Sequence, residues 1–221
     1  GDLKKLADPN YNHQYFVDGS PMTGDVLDGS TWRTILVGTL GAGGKGYFAL
    51  DVTDPSTFLE TKSQQLVVRD RTRGNGESAP DCTLVGMSAD EKAACLVAVE
   101  EDKDIGNITV PPVRDSTNQL RTTQIVRLNN NRWATVMGNG YNSANQRPVL
   151  LVQYLDGAKE LLRIQASDDA KGTGNAADNG LSAPTLVDLN GDSRTDIVYA
   201  GDNLGNLWKF DLTSEKTSAW K

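Results

Sequence analysis

The side chains best suited to chemistry are the oxygen-bearing residues of Asp188-Leu-Asn190-Gly-Asp192-Ser-Arg194-Thr-Asp196, which fall at positions 1, 3, 5 and 9 of one short stretch. Calcium takes six to eight oxygen ligands, and alternating positions converge on one point when a loop curls. Position 7 usually supplies a backbone carbonyl, here that of Arg194. The pattern predicts one Ca²⁺ site formed by Asp188, Asn190, Asp192, Arg194 and Asp196.

The flanks of this stretch favour a β-hairpin loop over an EF-hand. Residues 184–187 and 197–200 are strand-like, and Tyr199 stands at position 12, where an EF-hand has glutamate. Turn formation alone is the first alternative, since Asp, Asn and Gly dominate hairpin connections. Three carboxylates within nine residues would repel one another without a cation, which favours the metal site. Magnesium is the less suitable ion because it prefers rigid, water-rich octahedral sites.

Composition limits the class of protein. The 221 residues are 38% hydrophobic, which suits a globular domain. With 29 acidic and 22 basic residues, the surface should repel phosphate backbones, so we expect no nucleic-acid partner. No apolar run is long enough for a membrane-spanning helix, and no signal-peptide core begins the chain, so we expect a mature product or a fragment. A single histidine, His13, disfavours a multi-histidine zinc site.

A repeat predicts the fold. Three segments, beginning near Trp32, Trp133 and Thr195, each contain a β-rich run, a glycine-rich turn and a second β-rich run. Repeated units of this kind predict an all-β chain folded as a β-propeller. At about 40–50 residues per blade, the chain supplies about four blades, so residues 1–221 are predicted to be one propeller domain or part of a larger one. Trp32, Trp133 and Trp208 are expected in the blade core, whereas Trp220 is ambiguous.

A weakly repetitive insertion is predicted at about residues 70–119. It contains the capping-box pattern Ser88-Ala-Asp-Glu91, which predicts a short helix, and the acidic run 100–104, which we expect to be a solvated surface. Cys82 and Cys95 also lie in it. A disulfide between them, which would indicate an oxidising compartment, is favoured over two unrelated buried thiols.

The residues from Tyr15 to Pro55, including Val37-Gly-Thr-Leu-Gly-Ala-Gly-Gly44, closely resemble the C-terminal propeller of the PilY/PilC-type proteins of type IV pili. Residues 184–192 and 199–212 are similar to that family's calcium loop and the blade after it. The resemblance covers most of the chain and is weakest in the insertion. The family's loop usually has aspartate at position 3, where this chain has Asn190. The substitution preserves an oxygen ligand but removes one negative charge, which weakens calcium binding.

The resemblance implies a non-enzymatic pilus-tip adhesin and biogenesis factor on the surface of a Gram-negative cell, at the pilus tip or outer membrane. Its partners would be major or minor pilins and a host or abiotic surface, and its calcium occupancy would regulate pilus extension and retraction. Two alternatives remain. Residues 201–211 are also similar to blade repeats of quinoprotein dehydrogenases, although Cys82 and Cys95 are not adjacent as in many of those enzymes. Integrin-type propellers carry comparable loops, but usually in several blades.

Overall fold

The computed structural model describes residues 2–72, 81–166 and 179–221. Over these residues the chain is mainly β-structure, with two α-helices and several short 3-10 helices. The strands are β1 (Met22–Asp28), β2 (Thr31–Thr39), β3 (Tyr47–Asp51), β4 (Val67–Asp70), β5 (Ile125–Leu128), β6 (Trp133–Gly138), β7 (Val149–Tyr154), β8 (Leu161–Gln165), β9 (Thr185–Val187), β10 (Arg194–Thr195), β11 (Ile197–Gly201) and β12 (Leu207–Asp211). The α-helices are α1 (Ser63–Leu66) and α2 (Ala89–Asp102), and the 3-10 helices are Asp2–Ala7, Gly41–Gly43, Pro55–Thr57, Glu60–Lys62 and Thr217–Ala219.

The strands form three sheets in the order β1-β2-β3-β4, β10-β5-β6-β7-β8 and β12-β11-β9. With one exception, neighbouring strands pair antiparallel and come from nearby parts of the chain, as in propeller blades. The exception is β10, which pairs in parallel with β5 and so attaches the loop before β11 to the second sheet. This two-residue strand was not predicted from the sequence.

The second sheet is buried on both faces. All six residues of β7 are buried, which explains the uninterrupted apolar run Val149-Leu-Leu-Val152. Alternate side chains enter different cores: Val149 and Leu151 pack with residues of the first sheet, and Leu150 and Val152 with residues of the third. Gly138 is the last residue of β6 and packs against the segment that precedes β9. A Cβ at this position would lie 2.0 Å from the Ser182 carbonyl oxygen.

Residues 71–124 leave the first sheet and return to the second, and positions 73–80 of the predicted insertion lie outside the described residues. Helix α2 begins with the expected capping box: the Glu91 amide donates to Ser88 Oγ at 3.2 Å, and the Ser88 amide donates to Glu91 Oε2 at 2.8 Å. A disulfide joins Cys82 to Cys95 and so connects the preceding loop to the helix. None of the α2 residues is buried, so contacts at the end of the helix must hold it in place.

Those contacts come from the acidic run at residues 100–104. The expectation that this run is a solvated surface was wrong for Glu101, Asp102 and Asp104. Arg71, which is buried, pairs with Glu101 and with Asp102, the latter at 3.1 Å. Asp104 is only 1% exposed and accepts hydrogen bonds from the guanidinium groups of Arg147 and Arg163. The run therefore attaches the insertion to the first sheet through Arg71 and to the second through Asp104.

The tryptophans also differ from expectation. Trp220 is buried, and Trp133 and Trp208 are half-buried, but Trp32 is 56% exposed. Trp32 lies at the start of β2, where the strand extends beyond the core, so the prediction that it belongs to the blade core was wrong. In the described ranges, no helix is long and apolar enough to cross a bilayer.

Candidate functional site

The predicted calcium loop connects two paired strands. Strands β9 and β11 are antiparallel, and Val187 pairs with Ile197 at the base of the loop. Residues 188–196 form the connection between them, as predicted from the strand-like residues on either side of the loop. Gly191 has φ of +80°, a left-handed conformation that glycine adopts without strain, at the position where the sequence requires a sharp bend.

The loop is wrapped around the carboxylate of Asp188. Its Oδ1 accepts the amide of Gly191 at 2.8 Å, and its Oδ2 accepts the amide of Ser193 at 2.7 Å. Desolvation acts to raise the pKa of Asp188, but these backbone hydrogen bonds outweigh it and hold the pKa below its ordinary value. The Asp188 side chain is therefore ionised at neutral pH and fixed in orientation.

Positions 3 and 5 continue the same pattern. Asn190 Oδ1 accepts the Asp192 amide, and Asp192 Oδ1 accepts the Arg194 amide, each at 3.0 Å. The other oxygen of Asp192 receives the Arg194 guanidinium at 2.9 Å, and the same guanidinium donates to Asn131 Oδ1 at 2.8 Å. The Arg194 side chain thus places a positive charge on one of the predicted calcium ligands.

Asp196 faces the second sheet and is only 4% exposed. Its Oδ2 accepts the Leu189 amide at 2.8 Å, and its Oδ1 accepts Asn129 Nδ2 at 2.9 Å. The Asn129 amide also donates to the carbonyl oxygens of Thr195 and Leu212, both at 3.0 Å. Asn129 therefore connects the loop, β12 and the second sheet. Sequence reasoning missed it, and the run of asparagines at 129–131 was the available signal.

The donor set of the loop suits calcium, although the described residues contain no cluster of three or more His, Cys, Asp or Glu side chains arranged as a metal site. Carboxylate, amide and backbone carbonyl oxygens are the ligands calcium prefers. A carboxylate has about four acceptor positions, so the three amides on Asp188 leave acceptor capacity. Asp188, Asn190 and Asp192 lie on the exposed side of the loop, whereas Asp196 lies inside it. The ligand types available in the loop are therefore those that Ca²⁺ prefers.

Removing the Arg194 side chain tests whether its charge competes with a cation. Arg194→Ala keeps the backbone carbonyl but removes the guanidinium from Asp192, so calcium affinity should rise about two- to fivefold, as expected for an exposed ion pair worth ~0.4–1 kcal/mol. Isothermal titration calorimetry measures the change. Arg194→Lys, which keeps the charge, is the matched control. Weaker binding by Arg194→Ala would contradict a competing role for the side chain.

Comparison with known proteins decides the family. The model of the PilY1 beta-propeller domain family matches residues 1–63 and 58–220. The chain belongs to this family. It is 37% identical over 220 residues to a type IV pilus biogenesis factor PilY1 homolog of Xylella fastidiosa, covering 97% of this chain and 12% of that protein. It is 34% identical over 219 residues to the type IV pilus biogenesis factor PilY1 of Pseudomonas aeruginosa, covering 98% of this chain and 15% of that protein.

A solved structure agrees with the family result. The crystal structure of the Pseudomonas aeruginosa PilY1 C-terminal domain aligns with 90% of this chain and 31% of that one, at 33% identity and a TM-score of 0.57. The prediction of an all-β propeller fragment is thereby confirmed, as is the resemblance drawn from the motifs. The chain spans only 12% and 15% of the lengths of the two curated relatives, whose names describe pilus biogenesis factors rather than quinoprotein enzymes.

Proposed function

We propose that this chain is a calcium-binding β-propeller module of a type IV pilus tip adhesin and biogenesis factor. It has no catalytic role of its own in this proposal. It acts outside a Gram-negative cell, with pilins and a host or abiotic surface as partners. Family membership supports the pilus assignment, and the loop at residues 188–196 supports the calcium assignment.

The observation that carries the calcium proposal is the position of the loop between two sheets. Asp188 organises the loop through three backbone amides, and Asp196 is joined to the second sheet through Asn129. Calcium bound by Asp188, Asn190, Asp192 and the Arg194 carbonyl, with Asp196 completing the set, would offset the repulsion among the carboxylates. Binding would then stabilise the junction between the second and third sheets.

Such a site can regulate pilus extension and retraction only if two arrangements of the module differ in calcium affinity, because a ligand shifts an equilibrium by its differential affinity alone. The junction between the sheets is a suitable place for this difference. Strand β10, at the end of the loop, pairs with β5 of the second sheet, so a change in the loop reaches the neighbouring sheet directly. In the full-length protein, calcium would favour one arrangement and thereby bias the pilus toward extension or retraction.

Calorimetric titration of the chain with calcium, with magnesium as competitor, tests the proposal. We expect one calcium per chain and weaker binding of magnesium. At a hundredfold excess over the dissociation constant, binding stabilises the native state by ~2.7 kcal/mol, which raises the melting temperature by about 5–10 °C for a chain of this size. Absence of binding at millimolar calcium would refute the metal site. The pilus role is tested separately, by scoring twitching motility in cells whose full-length protein lacks this module.

A further inference from the structure

The exposed tryptophan found in the first sheet lies in a cleft between the first two sheets. The cleft has a volume of about 440 Å³, and Asp25, Trp32, Thr34, Arg121 and Trp133 are among the residues that line it. The Trp32 and Trp133 rings meet edge to face, with centroids 5.7 Å apart, so the Trp32 ring is held in place although it is exposed. A second groove of about 400 Å³ opens along Trp32, Arg33 and Thr53.

Polar groups in this cleft have unused hydrogen-bonding capacity. The indole N–H groups of Trp208 and Trp220 donate to Asp202 and to the Ser214 carbonyl oxygen, at 2.8 and 2.7 Å. Those of Trp32 and Trp133 have no acceptor among the residues that the structure describes. Trp32 is exposed and Trp133 is half-buried, so both N–H groups can donate to a ligand in the cleft.

The charged groups show the same availability. Asp25 Oδ1 accepts the Thr34 hydroxyl at 2.8 Å, but within the described ranges nothing donates to its Oδ2. The Arg121 side chain is exposed and donates no hydrogen bond within the described ranges, although its charge acts on the nearby Asp115 carboxylate. The cleft thus offers an open acceptor, open donors and an aromatic face within one small volume.

We infer that the cleft beside Trp32 binds a neutral saccharide. Sugar rings present C–H groups that pack on an aromatic face and hydroxyl groups that both donate and accept, which matches this combination of groups. Asp25 and Arg121 line the same cleft, and Arg33 pairs with Asp51 at 2.6 Å and with Asp28 at 3.7 Å, so charges of both signs surround the Trp32 ring. The chain as a whole has a net charge of −7, which disfavours anionic sugars. The inference rests on the proposed adhesin function, for which it names a ligand class.

Another groove adjoins the cleft and shares three lining residues with it. Arg121 and Thr122 line this groove, which has a volume of about 270 Å³ and extends to Asp188 and Arg194. Thr122 is held there by reciprocal hydrogen bonds with the Thr23 backbone, at 3.1 and 3.2 Å. A linear oligosaccharide stacked on Trp32 could therefore extend along Arg121 toward the calcium loop.

Saturation-transfer NMR and tryptophan fluorescence with mannotriose, maltotriose and diacetylchitobiose test this inference, with 3′-sialyllactose and an oligolysine peptide as competing classes. We expect a neutral saccharide to bind at low millimolar concentration. Trp32→Ala should weaken binding at least about tenfold, the loss expected on removing a central aromatic contact. Asp25→Asn, which leaves an acceptor for Thr34, should weaken it severalfold. Tyr199→Ala, at an exposed aromatic residue of the third sheet, is the matched control and should have no effect.

Three results would overturn the inference: no neutral saccharide binds, Trp32→Ala binds as well as the unchanged chain, or the oligolysine peptide binds more tightly than every sugar. Loss of self-association in Trp32→Ala on size-exclusion chromatography, without saccharide binding, would identify a second copy as the occupant instead. Thermal melts establish that each variant is folded. Calcium titration of Trp32→Ala should still give one bound calcium, so the saccharide site and the metal site can fail independently.

Discussion

Asp192→Ala is expected to abolish calcium binding while the β-structure remains intact. The substitution removes one of three carboxylates from a loop that already has Asn190 in place of a fourth, and calcium affinity depends on the number of charged ligands. The side-chain hydrogen bonds of Asp192 are local, to Arg194 alone, so the loss of stability should stay below about 1 kcal/mol, as for other exposed polar contacts. Calorimetry should therefore show no heat of calcium binding, and circular dichroism should be unchanged.

The control for this variant is Asp54→Ala. Asp54 is also exposed and also accepts the amide of the second residue after it, that of Ser56 at 2.9 Å, but it lies in the first sheet region, away from the loop. This variant should bind calcium as the unchanged chain does. Asp192→Asn should fall between the two because it keeps an oxygen ligand without the charge. If Asp192→Ala binds calcium with unchanged affinity, the ion occupies some other part of the chain.

Asp104→Ala is expected to cause the largest loss of stability. The Asp104 carboxylate receives four hydrogen bonds: two from Arg147, one from Arg163 and one from Asn145, all between 2.7 and 2.9 Å. Removing the acidic partner of a buried ion pair leaves uncompensated positive charge and costs ~3 kcal/mol. That loss corresponds to a melting temperature lower by about 6–12 °C for a chain of this size. Differential scanning calorimetry measures it.

The destabilisation caused by Asp104→Ala should become smaller as the pH falls. Burial acts to raise the pKa of Asp104, but the hydrogen bonds and charges of Arg147, Asn145 and Arg163 hold it below its ordinary value. A lowered pKa in the folded state contributes stability above the unfolded pKa of about 4, and that contribution is lost as the pH falls further. The difference between Asp104→Ala and the unchanged chain should thus be full at pH 7 and shrink below pH ~4.

Glu100→Ala is the control for Asp104, because Glu100 belongs to the same acidic run but forms an exposed ion pair with Lys103. Its loss should cost less than about 0.5 kcal/mol. Equal destabilisation by the two substitutions would show that Asp104 does not anchor the insertion. A pH-independent difference for Asp104→Ala would assign its effect to packing rather than to charge.

The sequence allowed the fold and the position of the loop to be predicted, because both depend on local patterns. Alternating apolar residues, glycine-bounded repeats and the spacing of Asp188, Asn190 and Asp192 are all visible in the chain. The capping box at Ser88 is equally local. Such features can be predicted without knowing which residues from distant parts of the chain come into contact.

The parts that could not be predicted all depend on contacts between distant segments. Asn129 joins Asp196 across 67 positions, and Arg147 meets Asp104 across 43. No periodicity identifies such partners, and the acidic run looks solvated until its arginines are placed beside it. Trp32 was misassigned for the same reason: its repeat resembles that of Trp133, yet the strand containing Trp32 begins outside the core.

The double burial of the second sheet has a consequence for the order in which the chain folds. Residues leave the ribosome from the N-terminus, so β7 is complete long before Phe210 and Leu212, which cover its second face. Until they arrive, the backbone of β7 is already paired with β6 and β8, but Leu150 and Val152 have no partner from the third sheet, and their apolar face is exposed to association with other chains. The last residues of the chain to be synthesised are therefore the ones that complete the burial of the second sheet.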